Sequence, residues 1–213
     1  MGRTAVVVFT RAPVPGRAKT RLIPLLGAEG AARLHEALLL RTIRVARRSG
    51  VGPVFLYVAP DDGAPTRRPP YFEQFLPRLR VRRQRGADLG ERMRRAIEER
   101  LLRHRAVLLI GADCPVLRAD DLRSASRFLQ GARRPGPRAV LAPAEDGGYP
   151  MIGLRHASRR VFDRLPWGTG SVYALTRRRL AALRWPLFQG RRLWDVDRPE
   201  DVRRLIDRDL TKT

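Results

Sequence analysis

Short apolar runs alternate with longer stretches of helical period along the whole chain. Residues 4–9 (TAVVVF) and 106–110 (AVLLI) are continuous apolar runs, too short for helices and rich in branched side chains. That pattern predicts strands buried on both faces. Residues 53–59 (PVFLYVA) predict a further strand, closed by the turn signal Pro60-Asp61-Asp62-Gly63, with a loop running on to Pro70. Residues 79–84 predict a weak strand and 139–142 a short one. Between them, residues 28–48 predict a helix with Ala31, Leu34, Leu38, Thr42 and Val45 on one face. Asp88 and Glu91 form the pattern of a capping box ahead of Leu89, Met93, Ile97 and Leu101 at helical spacing. Helices over 120–130, 170–183 and 199–208 complete the series. Alternating strand and helix predicts an α/β sandwich with a mostly parallel sheet. With no internal repeat or long linker, a single domain over 1–213 is expected.

Composition narrows the function classes. The 213 residues include 44 Lys+Arg against 21 Asp+Glu, a net charge of +23, and 43% are hydrophobic, enough for a core and too many for a disordered basic tail. A lone cysteine, Cys114, excludes a disulfide framework and a multi-cysteine zinc site, and suits a reducing compartment. No segment approaches a membrane span, so a cytoplasmic protein without membrane association is expected. The charge is less informative than its size suggests. Lysine stands only at Lys19 and Lys212, every other basic residue is arginine, and the arginines are spread over otherwise polar faces. This reads as an arginine-biased surface, and no specific nucleic-acid partner is expected. A basic nucleic-acid-binding protein with a degenerate site is the third of three function classes carried forward.

In open parallel sheets, ligands bind outside the carboxyl ends of the strands, and the residues just after each apolar run are chemically rich. The first run is followed by T-R-A-P-V-P-G-R-A-K-T-R-L, which is neither a phosphate-binding Walker loop nor a dinucleotide fingerprint. It nevertheless places Arg11, Arg17, Lys19 and Arg21 on one loop, a set suited to clamping phosphates. After 106–110 comes Asp113, a candidate ligand for a hard divalent cation or, alternatively, an Asx turn before Pro115. Cys114 beside it reads as a small buried residue. Asp195 and Asp197 form a second candidate metal arm, although Asp197 could instead cap the helix that Pro199 starts. Glu145-Asp146-Gly147-Gly148-Tyr149 offers a carboxylate base beside glycines that permit close approach, or simply a turn. Trp167-Gly168-Thr169 precedes a helix whose free N–H groups suit an anion or a sugar hydroxyl. The three histidines, His35, His104 and His156, are placed on separate helices and given no role.

Five of these segments occur in order: F-T-R-A-P-V-P-G-R-A-K-T-R-L at 9–22, G-A-D-C-P at 111–115, A-E-D-G-G-Y at 144–149, W-G-T at 167–169 and D-V-D-R-P-E-D at 195–201. Together they resemble the bacterial transferase family named arsenosugar biosynthesis glycosyltransferase-like, or radical-SAM/selenodomain-associated transferase. The resemblance covers nearly the whole chain. It implies the GT-A, nucleotide-diphospho-sugar transferase fold, a Rossmann-like three-layer sandwich with a mostly parallel mixed sheet that binds a nucleotide over its first half. More distantly, K-T-R-L and G-A-D-L at 86–89 are similar to 2-phospholactate guanylyltransferase. By this resemblance Arg11, Lys19 and Arg21 contact phosphates, with Arg17 on the same loop. Asp113 with Asp195 or Asp197 would hold Mg²⁺ or Mn²⁺. Asp146 would face the acceptor or sugar, on the side lined by Gly147, Gly148, Tyr149, Trp167 and Thr169, and Asp146 or Glu145 is the candidate base if the reaction inverts. Pro150 and Gly170 depart from the family pattern on that acceptor side. The leading expectation is glycosyl transfer from a nucleotide-diphosphate sugar to a small acceptor. The alternative is nucleotidyl transfer from a nucleoside triphosphate with release of pyrophosphate.

Overall fold

A computed structural model describes residues 4–60, 79–131 and 136–207. The turn signal at 61–63 and the loop to Pro70 lie outside the described residues. Seven strands form one sheet in the order β3-β2-β1-β4-β6-β5-β7. These are β1 (Ala5–Thr10), β2 (Val54–Val58), β3 (Arg80–Arg83), β4 (Val107–Gly111), β5 (Ala139–Ala142), β6 (Met151–Leu154) and β7 (Leu187–Gln189). β3, β2, β1 and β4 run parallel, and so does the β5–β7 pair; β6 runs antiparallel between β4 and β5. The expected mostly parallel mixed sheet is present.

Side chains alternate across the sheet, as a period of two requires. Val6, Val8, Leu56, Leu108, Ile110 and Val140 face α1 (Ile23–Ser49) and α3 (Ala119–Gln130). Val7, Phe55, Tyr57, Leu109 and Ile152 face α2 (Leu89–Leu101), α4 (Arg159–Phe162) and α5 (Val172–Ala182). Helices thus cover both faces, the arrangement that continuous apolar strands demand. A third cluster joins Leu22, Ala31 and Leu38 to Trp194, Val196 and to Val202 and Leu205 of α6 (Pro199–Asp207), beyond the carboxyl ends of the central strands.

Most boundaries agree with the sequence pattern. Gly27 (φ 70) breaks α1, so the regular helix runs from Ala28 as the periodicity predicts. Asp88 caps α2 by accepting from Glu91 N at 2.8 Å, while Glu91 reaches back to Ala87 N at 2.8 Å, one residue earlier than in a standard box. Leu89, expected on the apolar face, is exposed. Among the described strands and α-helices the pattern missed β6, α4 and the three-residue β7. β6 has only four residues and contains Gly153, where a Cβ would lie 2.5 Å from Leu108 Cδ2. The one-turn α4 carries no sustained period. His104 and His156 lie in the connections that follow α2 and β6, not on helices.

Candidate active site

The loop after β1 is held by small buried anchors. Ala12, Ala18 and Leu22 are buried, whereas Arg11, Arg17 and Arg21 are exposed. Backbone bonds from Arg17 N and Ala18 N to Val14 O, and from Leu22 N to Lys19 O, shape the turn between the anchors. Lys19 departs from this scheme: its side chain is 6% exposed. Its backbone is left-handed (φ 49, ψ 46), a conformation a non-glycine residue holds only where its surroundings over-determine it.

Lys19 Nζ lies 2.7 Å from Asp113 Oδ2 and 3.0 Å from Asp197 Oδ1, and Arg21 Nη1 lies 3.0 Å from Asp197 Oδ2. Residues far apart in the chain are thereby joined. Burial opposes the Lys19 charge, but the two carboxylates outweigh it and hold its pKa above the ordinary lysine value. Burial would likewise raise Asp113; Lys19 overcomes it, and Asp113 is held below the usual carboxylate range. Asp195 is different. Burial first, then the charges of Asp113 and Asp146, push its pKa well above the usual value, and its buried Oδ1 receives no hydrogen bond.

The alternative role for Asp197 as a helix cap is not what is found. Asp201, in the first turn of α6, accepts from Asp197 N at 2.9 Å and Arg198 N at 2.8 Å, leaving the Asp197 carboxylate to Lys19 and Arg21.

Strand-like pairing laces the remaining segments together. Ala144 bridges Leu193, Glu145 N donates to Leu193 O, and Val196 N donates to Asp113 O. Asp195 therefore sits between the loops that carry Asp113 and Asp146. Asp146 Oδ1 accepts from Gly148 N at 2.9 Å, so the turn reading of this segment also holds. Glu145 is gripped by Arg204 through two bonds of 2.7 and 3.0 Å, and the Arg204 guanidinium lies 4.3 Å from the Trp194 ring centroid.

The residues that the resemblance assigns to the acceptor or sugar side pack together. Gly147 (φ 84) packs so closely on Gly170 that a Cβ would lie 2.0 Å from Gly170 O. Tyr149 meets Trp167 edge to face at 6.2 Å, and Gly90 of α2 abuts the same indole. Thr169 Oγ1 is exposed, bonded to Pro166 O and Ser171 Oγ. Of the two departures from the family pattern, Pro150 accepts from Gly111 N at 2.9 Å, and Gly170 supplies the surface on which Gly147 rests.

Sequence reasoning overlooked α1 as a scaffold for the site. Thr10 Oγ1 donates to Arg11 O, so its lone pairs face His35 Nε2 at 3.1 Å, and Nε2 also lies 3.2 Å from Arg11 O. Both contacts require the proton on Nε2, and burial pushes the His35 pKa down. About two turns further along, Arg41 and Thr42 hold Leu117 O and Ala112 O. The missed signal was period: His35 lies four residues from Ala31 and from Leu39, on the buried stripe. Cys114 is buried, and burial followed by the charge of Asp195 pushes its thiol up, as an inert packing residue requires.

A family model described as an uncharacterized protein conserved in bacteria, DUF2064, matches residues 42–169. The chain belongs to the DUF2064 family. The matched span includes Asp113, Asp146 and Trp167, and lies between Lys19 on one side and Asp195 on the other. No curated protein matches the sequence. Among solved structures, one from Desulfovibrio desulfuricans G20, provisionally named a nucleotide-diphospho-sugar transferase, is 30% identical with a TM-score of 0.83. The alignment covers 93% of this chain and 84% of that one. A nucleotidyl transferase from Methanothermobacter thermautotrophicus is 17% identical with a TM-score of 0.64, each chain covered in full. The CMP:2-keto-3-deoxy-manno-octonic acid synthetase, solved with CTP, is 14% identical with a TM-score of 0.56 over 98% of this chain and all of that one. The fold of this DUF2064 member is that of nucleotide-diphospho-sugar transferases and nucleotidyltransferases, as the sequence resemblance implied.

The donor set can be tested against a divalent cation. Among the described residues no three acidic, histidine or cysteine side chains form a ready cage. Asp113 and Asp195 nevertheless place a charged carboxylate beside a buried, unpartnered one, which is a local deficit of positive charge. All-oxygen donors suit Mg²⁺ or Mn²⁺, ions that take one or two protein carboxylates and complete their shell with phosphate and water. The residues fit a cation shared with a bound phosphate. No helix among the described residues is long and apolar enough to cross a membrane.

Proposed function

We propose that this protein is a metal-dependent transferase acting on a nucleotide-activated substrate, with glycosyl transfer from a nucleotide-diphosphate sugar to a small acceptor as the leading reaction. The observation that carries this reading is the unpartnered, buried Oδ1 of Asp195 beside Asp113, set against a loop that presents Arg11, Arg17 and Arg21 to solvent. Asp113 and Asp195 would hold Mg²⁺ or Mn²⁺, with Asp197 orienting Lys19 and Arg21; the cation would neutralise charge developing on the leaving diphosphate. The loop arginines would bind the outer phosphate oxygens. Asp146 would accept the proton of the attacking hydroxyl as the anomeric carbon–oxygen bond to the diphosphate breaks. It is the better base of the two carboxylates, because Glu145 is committed to Arg204. Tyr149, Trp167, Thr169 and the two glycines would shape the acceptor side. The nucleotide and a small-molecule acceptor are the expected partners, and the cytoplasm the expected compartment.

Nucleotidyl transfer is a second reading, favoured by the density of cations after β1. There an acceptor oxygen attacks the α-phosphate of a nucleoside triphosphate and pyrophosphate leaves. Thermal shift with UDP- and GDP-sugars against GTP, CTP and UTP, each with and without Mg²⁺, separates the two. Stabilisation by triphosphates alone, with pyrophosphate release, overturns glycosyl transfer. Salt-steep duplex binding with no nucleotide response would instead point to a nucleic-acid-binding protein.

A further inference from the structure

Lys19 is the buried cation of the phosphate loop, and its neighbours are carboxylates. Its side chain is 6% exposed where that of Arg21 is 67% exposed, and its ammonium bonds to Asp113 and Asp197 together. The left-handed backbone at Lys19, fixed between buried Ala18 and Leu22, turns the side chain inward while the arginines on either side face solvent. Asp113 is also the carboxylate that the reading above gives to the divalent cation. An ammonium and a divalent ion held against one carboxylate repel each other at about 3–5 Å in a partly buried setting, where such repulsion is screened far less than in water.

We propose that Lys19 is a resident counter-ion for the acidic cluster: it occupies Asp113 and Asp197 until phosphate oxygens draw its ammonium away, so that the divalent cation enters with the nucleotide and not ahead of it. The inference rests on the metal-and-nucleotide reading above. Its physical basis is charge balance. A free divalent ion must displace the ammonium and leave it buried beside a like charge. An ion arriving with a nucleotide brings phosphate oxygens that receive the ammonium at the same moment. No covalent step is involved, and the ammonium keeps its proton throughout. The use of lysine at this one site of an arginine-rich chain follows from the same requirement. A compact ammonium on a flexible stem can move between two sets of oxygens, whereas a guanidinium fork is fixed by its geometry.

The first test is Mn²⁺ alone, read from the electron paramagnetic resonance of the free ion. Lys19→Met is expected to bind Mn²⁺ at least about tenfold more tightly than the unmodified protein, and adding Asp113→Asn to Lys19→Met is expected to abolish that gain. Equal or weaker Mn²⁺ binding by Lys19→Met overturns the proposal. The second test needs no variant, because the chain has only two lysines, Lys19 and Lys212. With ¹³Cε-labelled lysine, Mg²⁺ alone should leave the Lys19 resonance in place, whereas Mg²⁺ with GTP or UDP-glucose, whichever stabilises the protein, should shift it. A shift with Mg²⁺ alone, or none with the pair, overturns the proposal even where Lys19→Met does not fold. If the unmodified protein binds Mn²⁺ with nucleotide while Lys19→Met gains nothing, the counter-ion role fails and the metal-dependent reading stands. If neither protein binds Mn²⁺ with or without nucleotide, both fail.

Discussion

Asp195→Asn is expected to make the protein more stable and less competent. Asp195 is half-buried, and its inner oxygen, Oδ1, receives no hydrogen bond and stands among the charges of Asp113, Asp146 and Asp197. Leaving such a group unsatisfied costs about 1–3 kcal/mol, and the isosteric amide removes the charge while adding donors that can face Asp113. Each kcal/mol moves the unfolding midpoint of a chain this size by about 2–4 °C. The pH dependence identifies the cause. Because the folded-state pKa of Asp195 is raised, the unfolded chain releases its proton first as pH climbs past the ordinary value of 3.8. Stability is therefore lost from that point until folded Asp195 itself ionises. The advantage of the amide should be absent near pH 3, appear above about pH 4 and persist at neutrality. Thermal unfolding of both proteins across this range is the assay, with unfolding in urea as a check. A variant no more stable than its parent at pH 7, or one whose gain is unchanged at pH 3, would refute the argument. Mg²⁺ with the stabilising nucleotide should raise the midpoint of the parent and leave that of Asp195→Asn in place.

Three further outcomes are expected. Gly147→Ala should cost at least about 2 kcal/mol in urea unfolding, because its φ of 84 disfavours any side chain and its Cβ would lie 2.0 Å from a backbone oxygen; a cost under about 0.5 kcal/mol would contradict the close packing of the two loops. Asp146→Asn should lower turnover by roughly 10²–10⁴-fold with little change in nucleotide affinity, the range for loss of a general base; unchanged turnover would remove it from that role. Cys114 should resist a thiol reagent at neutral pH in the folded protein and react fully in urea, since burial both hides the thiol and raises its pKa; rapid reaction in the native state would show that the loop at 111–115 opens.

Much of the sheet was legible from short-range pattern. Continuous apolar runs identify β1, β2 and β4 because a strand buried on both faces needs no polar alternation. Helical period identifies α1, α2 and α3. β6 escaped because four residues with a central glycine carry too little pattern, yet that strand reverses direction in mid-sheet and brings Pro150 against Gly111. His35 escaped although its spacing was readable: a lone histidine on an apolar stripe looks like packing until the chain folds its Nε2 against the Thr10–Arg11 corner.

Local sequence, then, determined which elements form, which loops lie at the carboxyl ends of strands, and that one of those loops is cationic. Those are consequences of side-chain period, branching and spacing, which act over a few residues. Tertiary structure decided what each charge does. Asp113, Asp146, Asp195 and Asp197 are chemically alike and all follow apolar runs, yet folding brings Lys19 to Asp113 and Asp197 across separations of 94 and 178 residues. It leaves Asp195 Oδ1 buried without a hydrogen bond and gives Glu145 to Arg204. Desolvation and Coulomb energy depend on burial and distance, and neither exists until distant parts of the chain have met.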